Sequence, residues 1–135
     1  LHAVVLWAWH LPVLFEAALE SEGMHVLQHL SFILSALFFW SAVLDRDRRR
    51  YGQGAAALAL FLTSLEAGLL GALLTFSGGL WYPNGPDPFP ICGLTRTEDQ
   101  ALAGLIMWVP ACAAYVVAAL VILARWLAHL EARHA

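Results

Sequence analysis

The sequence contains no lysine, and charged residues make up only 13% of its 135 residues. Hydrophobic residues account for 61%, and the mean hydropathy is +0.70. Soluble globular domains carry roughly 25% charged residues, so this composition excludes an ordinary soluble domain and indicates a membrane protein. The net charge of −3 gives no indication of a nucleic-acid partner, and we expect none.

Cysteine is also scarce, with Cys92 in a loop and Cys112 inside a long apolar segment. No C-x-x-C pair is present to bind a soft metal. Cys112 lies about 20 Å along a helix from Asp99, near mid-membrane, so we expect no disulfide to Cys92. The sequence also lacks a phosphate-binding loop, a nucleophile–base pair and a usable carboxylate pair, so we do not expect an enzyme.

Four long apolar segments dominate the chain, each near or above the ~20 residues that a helix needs to cross the hydrocarbon layer. They predict an all-α fold, a polytopic membrane helix bundle with four transmembrane helices in a single domain over 1–135. The loop before the last helix is rich in glycine and proline and cannot continue a helix. The predicted helices cover residues 1–19, 25–44, 55–82 and 101–127, and the outward loop covers 77–99.

The arginines predict the orientation of the bundle, because arginine in short loops is retained on the cytoplasmic side. Only Arg96 lies in the loop predicted to face outward. Both ends of the chain are therefore predicted to be cytoplasmic. The remaining arginines lie between the second and third segments or near the end of the fourth: Arg46, Arg48, Arg49, Arg50, Arg125 and Arg133.

Three histidines are predicted to lie near the outer side of the bilayer. His10 is about 9 Å below Glu16 along its helix, and His29 is about 10 Å below Glu22. His25 precedes His29 by four residues, so both project from one helical face, about 6 Å apart along the axis, and can share a metal. We therefore predict a metal site at His10, His25 and His29, with hydrogen bonding between helices as the alternative.

Other polar residues are candidate ligands or supports of this site. Met107 lies about 12 Å below Asp99 and offers a thioether, although methionine in an apolar helix is usually a packing residue. Asp99 either accepts a hydrogen bond from an imidazole or caps the fourth helix, and Gln100 follows it at the mouth of that helix. Glu66, near mid-bilayer, either relays protons, holds a cation or bonds neighbouring helices.

His2 lies deeper than His10 and is expected to be a structural partner rather than a ligand.

Two helix faces are predicted to pack against protein. One face is a seam of small residues that allows close helix approach. The faces are Ser64, Gly68, Gly71 and Thr75 on the third segment, and Gln100, Gly104, Met107 and Ala111 on the fourth.

Three motifs in this sequence resemble the CtaG family of cytochrome c oxidase assembly proteins. They are W-H-L-P-V-L-F-E-A-A-L from Trp9, H-V-L-Q-H-L-S-F from His25, and D-Q-A-L-A-G-L-I-M-W-V-P from Asp99, in the order of the family. The resemblance covers essentially the whole chain and implies the carboxy-terminal part of a longer family member. It maps the family's motif histidines onto His10, His25 and His29, and its acidic motif onto Asp99 and Gln100.

The resemblance implies a protein of the bacterial inner membrane that binds or delivers copper for the haem–copper oxidase centre. The implied partners are oxidase subunits, a periplasmic copper carrier, membrane lipid, and another chain or an upstream half that completes the bundle. Two alternatives stay open. One is a b-type haem-binding cytochrome with His10 and His29 as axial ligands. The other is a structural subunit of a respiratory complex without a metal.

A visible absorption spectrum separates the first alternative from the others. A Soret band in the purified protein is expected only if His10 and His29 bind haem. A protein without that band that carries copper by elemental analysis agrees with the copper interpretation, and one without either agrees with the structural subunit.

Overall fold

The computed structural model describes residues 1–44, 52–85, 87 and 93–134. These residues form α-helices joined by loops, with no strand among them. The all-α membrane bundle is confirmed: three helices are long and apolar enough to cross a membrane, and a bent helix pair at the start makes up to four spans. The helices are α1 (His2–Trp9), α2 (Pro12–Glu20), α3 (Glu22–Leu44), α4 (Gly52–Phe76) and α5 (Arg96–His134).

The first apolar segment is broken into two helices. α1 and α2 meet at an angle of 72°. Pro12 is the first residue of α2; it has no N–H to bond the preceding turn, and it disfavours a helical conformation in the residue before it. Leu11 is accordingly extended, with φ −65° and ψ 133°. The prediction of one continuous helix over 1–19 was wrong for this reason.

Several predicted helix ends also differ from the structure. α3 begins at Glu22 rather than at residue 25, α4 ends at Phe76 rather than at 82, and α5 covers 96–134 rather than 101–127. After α4, the Ser77 hydroxyl donates to the Gly79 carbonyl at 2.9 Å, so the chain turns within the Ser-Gly-Gly sequence. The outward loop therefore begins at residue 77, as predicted, and ends before Arg96 rather than at residue 99.

A capping box begins α5. The Glu98 carboxylate accepts from the Thr95 N–H at 2.8 Å, and the Thr95 hydroxyl oxygen accepts from the Glu98 N–H at 3.3 Å. Both reciprocal bonds satisfy N–H groups that the first turn of a helix leaves without partners. The cap predicted at Asp99 was therefore wrong, and Asp99 lies inside the first turn.

α4 and α5 pack closely along the predicted seam of small residues. A Cβ atom added to Gly71 would lie 2.5 Å from the Cβ of Trp108 and 3.0 Å from the carbonyl oxygen of Gly104. Thr75 donates to the Gly71 carbonyl at 2.7 Å and contacts the Ala101 carbonyl across the interface at 3.3 Å. The packing role of the seam is confirmed, because only glycine allows the two backbones to approach this closely.

His2 links three helices through a chain of hydrogen bonds. Its Nδ1 lies 3.1 Å from the Ser35 hydroxyl on α3, and its Nε2 lies 3.2 Å from the Tyr115 hydroxyl on α5. Ser35 donates its proton to the Phe32 carbonyl at 3.1 Å, so Ser35 accepts from Nδ1 of His2. Nε2 of the neutral ring then accepts from Tyr115. The prediction that His2 is a structural partner is confirmed.

Two predictions rest on residues that the structure does not describe. Cys92 and the cluster of Arg46, Arg48, Arg49 and Arg50 lie outside the described residues. The orientation of the bundle and the absence of a disulfide to Cys92 therefore stay predictions.

Replacing Gly71 with alanine should destabilise the α4–α5 pair. The added methyl group overlaps Trp108, and overpacking of this kind costs about 1–3 kcal/mol of the free energy of unfolding. Unfolding of the purified protein in detergent micelles measures the effect. Gly78→Ala is the matched control, because nothing lies within 4 Å of a Cβ at Gly78. Equal stabilities of the two variants would contradict the close packing.

Candidate functional site

His25 and His29 form a pair on one face of α3. Their Nε2 atoms are 2.9 Å apart, and their ring centroids are 4.6 Å apart. Both residues are exposed. At this distance the Nε2–H of one ring donates to the Nε2 lone pair of the other. The predicted H-x-x-x-H geometry is confirmed, since both side chains converge on one point.

His10 lies apart from this pair, at the break between α1 and α2. Its Nδ1 donates to the Leu6 carbonyl at 2.7 Å, and its ring lies beside Phe32 with centroids 6.5 Å apart. Among the described residues, no group of three or more histidine, cysteine, aspartate or glutamate side chains is arranged to hold a metal ion. The structure thus brings His25 and His29 together without adding His10 as a third ligand.

A cavity of about 480 Å³ lies between the helix break, the start of α5 and the loop that follows α4. Its walls are mostly apolar and include Phe15 and Phe32. Four residues that were predicted separately from the sequence also line this cavity. They are His10, Asp99, Gln100 and Met107. Apart from Glu66, the predicted site residues therefore divide between this cavity and the exposed pair of His25 and His29.

Gln100 is buried and holds the loop that follows α4. Its Oε1 accepts from the Trp81 N–H at 2.7 Å. Its Nε2 donates to the Ser77 hydroxyl at 2.9 Å and to the Gly79 carbonyl at 3.2 Å. The amide thus uses both its acceptor and its donors on the loop. This arrangement fixes the loop over the cavity.

Tyr82 anchors the same loop to the helix break, a role that the sequence did not reveal. Its hydroxyl donates to the His10 carbonyl at 2.9 Å, and its ring packs against Phe15 with centroids 4.1 Å apart. Burial raises the pKa of Tyr82 to about 12, so the hydroxyl keeps its proton and acts as a donor at neutral pH. No local signal points to this bond, because the partners are 72 residues apart in sequence.

Arg96 forms a second anchor for the loop. Its guanidinium pairs with Asp87 at 2.6 Å and donates to the Pro83 carbonyl at 2.7 Å. In the sequence Arg96 stands out only as the one arginine in the loop predicted to face outward. Its neighbours along the chain contain the acid that it pairs with, so a local signal for this ion pair was present.

Glu66 lies on α4 and does not line the cavity. Its Oε1 is buried, and within the described part of the chain this atom has no hydrogen-bond partner. Cys112, also outside the cavity, forms no disulfide within the described residues and contacts the Ser64 carbonyl at 3.3 Å. Neither residue joins the histidines, so the predicted role of Glu66 as a proton relay or cation ligand stays a prediction.

Replacing Gln100 with leucine should loosen the loop above the cavity. The Trp81 N–H loses its acceptor, and breaking a buried hydrogen bond in this way accelerates amide exchange by roughly tenfold or more. Hydrogen exchange at Trp81, followed by mass spectrometry or NMR, measures this change. Ser41→Ala removes an exposed side-chain bond on α3 and should leave exchange at Trp81 unchanged. Unaltered exchange in the leucine variant would contradict the anchoring role.

Comparison with known proteins identifies the family. The family model described as cytochrome c oxidase caa3 assembly factor (Caa3_CtaG) matches residues 1–129. The match runs over nearly the whole chain and confirms the resemblance carried by the three motifs. How much of a longer family member the chain represents stays a prediction. Neither the comparison with curated proteins nor that with solved structures gave a significant match. The chain therefore belongs to the Caa3_CtaG family of cytochrome c oxidase assembly factors.

Proposed function

We propose that this protein assists the assembly of cytochrome c oxidase by binding copper between His25 and His29 and passing it on to the oxidase. Membership of the Caa3_CtaG family supports the role in assembly. The observation that carries the copper proposal is the convergence of the two Nε2 atoms at the start of α3. Copper here is cargo rather than a permanent cofactor.

The spacing of the two imidazoles fits a shared metal ion. Metal–imidazole bonds are about 2.0–2.1 Å long, so two nitrogens 2.9 Å apart can both reach one ion. Neutral imidazole is a good ligand for copper, although it also binds zinc, iron and nickel. Both Nε2 lone pairs would be free for one copper ion once the Nε2 proton of the donor ring moves to its Nδ1, which leaves both rings neutral.

The exposure of the pair suits transfer of a metal better than storage. Two protein ligands leave coordination positions open to a donor or an acceptor protein. An incoming ligand can then enter before an imidazole leaves, so the ion need not be released into water. We propose a periplasmic copper carrier as the donor and oxidase subunits as the acceptor, at the bacterial inner membrane.

The predicted ligands other than the pair have no part in this proposal. His10, Asp99 and Met107 line the cavity, and the Gln100 amide is engaged by the loop. Asp99 is not needed to position either imidazole, because the two rings bond each other.

Replacing both His25 and His29 with alanine should abolish copper binding by the purified protein. Wild type is expected to bind one copper ion per chain, measured by elemental analysis after loading and removal of free metal. His10→Asn is the matched control: it also removes an imidazole, but outside the pair, and should retain copper. A double alanine variant with unchanged copper content would overturn the proposal. A Soret band that is present in wild type and absent from the double alanine variant would also overturn it, because it would indicate haem at these histidines.

The same variants test the role in cells. In a strain without the native gene, wild type and His10→Asn should restore an active haem–copper oxidase, whereas the double alanine variant should not. Membrane levels of each variant, measured by immunoblotting, serve as the control for folding. Full oxidase activity with the double alanine variant would contradict the proposal that copper binding by this pair is needed for oxidase assembly.

A further inference from the structure

We propose that the cavity beneath the outer loop binds a lipid-soluble phenol or quinol, whose hydroxyl donates a hydrogen bond to Nε2 of His10. This site is separate from the pair of His25 and His29, neither of which lines the cavity. It does not depend on copper binding by that pair.

The hydrogen bond of His10 to its own helix determines what kind of ligand the ring can accept. A carbonyl oxygen only accepts, so the 2.7 Å contact with Leu6 requires a proton on Nδ1. In the neutral ring Nε2 then carries a lone pair and is an acceptor. In the described part of the chain no group donates to this Nε2, and His10 is one of the residues that line the cavity. The complementary ligand therefore carries a donor, and a hydroxyl is the simplest one.

Other polar groups at the cavity narrow the choice further. The guanidinium of Arg96 is engaged by Asp87 and by a backbone carbonyl, and the Gln100 amide is engaged by the loop. Two of the five guanidinium N–H groups of Arg96 stay without a partner among the described residues, but the paired Asp87 carboxylate offsets the Arg96 charge. The Asp99 carboxylate, which also lines the cavity, is a second acceptor beside Nε2 of His10. Two acceptors favour a hydroxyl and disfavour an anion such as a fatty acid, because like charges repel.

The walls of the cavity favour an aromatic ring. Phe15, Phe32 and Tyr82 line it, as does the thioether of Met107, and both kinds of group make favourable contacts with ring faces and edges. The volume of about 480 Å³ is within the range of about 300–1,000 Å³ typical of small-molecule sites. The site lies among transmembrane helices, so a lipid-soluble molecule reaches it from the bilayer.

The loop that follows α4 forms one side of the cavity through Leu80 and Tyr82. Tyr82 contributes its ring to the wall while its hydroxyl is tied to the His10 carbonyl. Tyr82 therefore holds the loop in place and also fixes the backbone of His10, whose ring carries the Nε2 acceptor. A hydrogen bond between ligand and His10 gains strength in such an apolar surrounding.

Calorimetric titration of the full chain in lipid nanodiscs tests the proposal with three probes: a short-chain benzoquinol, its dimethyl ether and the corresponding monophenol. The quinol should bind at least about tenfold more tightly than the ether, since the ether cannot donate. If the monophenol binds as tightly as the quinol, the hydrogen bond to His10 alone supports binding. If the monophenol binds more weakly, the second hydroxyl of the quinol also donates to Asp99. Equal affinities for quinol and ether would overturn the proposal.

Variants locate the site. His10→Asn keeps a side-chain donor for the Leu6 carbonyl but has no acceptor at the position of Nε2, so quinol affinity should fall about tenfold while ether affinity stays the same. Ala103→Phe fills the cavity and should abolish binding of all three probes. Unchanged quinol affinity in both variants would overturn the proposal.

One further variant separates this proposal from the copper site. Replacement of both His25 and His29 with alanine should leave quinol affinity unchanged even though copper is lost. Failure of the copper proposal can thus be distinguished from failure of the quinol proposal. If His10→Asn does not fold, the comparison of quinol with its ether in the wild-type protein still decides the proposal.

Discussion

Pro12 interrupts the backbone hydrogen bonds of the first apolar segment, and the groups it leaves without helical partners shape the predicted outer side of the protein. The Leu14 N–H bonds the Leu11 carbonyl at 3.1 Å instead of reaching back to His10. The His10 carbonyl then accepts from Tyr82, which brings the loop after α4 onto the break. In a membrane such a carbonyl must find a partner within the protein, because lipid offers none. The position of the loop thus follows from the helix break at Pro12, which turns the Leu14 N–H away from the His10 carbonyl.

The close pairing of α4 and α5 provides a second attachment for the loop that follows α4. Gly71 and Gly104 let the two backbones meet, which places Gln100 on α5 within reach of the loop that follows α4. The loop is therefore bonded both to the break and to the α4–α5 pair. The cavity is the space enclosed when these attachments are made, and His10 and Met107 enter it from different helices.

The two groups of site residues differ in what surrounds them. His25 and His29 are exposed and bond each other, so their donor atoms are available to an ion and to a partner protein. His10 is tied to its helix through Nδ1 and lines a mostly apolar cavity. The first setting suits ligand exchange with another protein, and the second suits a small molecule from the membrane. The two settings are separate in the structure, because neither His25 nor His29 lines the cavity.

Hydrophobic composition and helical spacing determined the fold class, the number of apolar segments, the glycine seam and the pairing of His25 with His29. These features are local or depend on one helix at a time, so the 3.6-residue period is enough to predict them. Pro12 and the Thr95–Glu98 pair are also local signals in the sequence, and they set the break after α1 and the start of α5. Only the tertiary structure decided that His10 would not join the other histidines, and that Gln100 and Tyr82 would hold a loop. Those outcomes depend on hydrogen bonds between residues far apart in the chain, and such bonds are set by how helices pack rather than by the residues beside them.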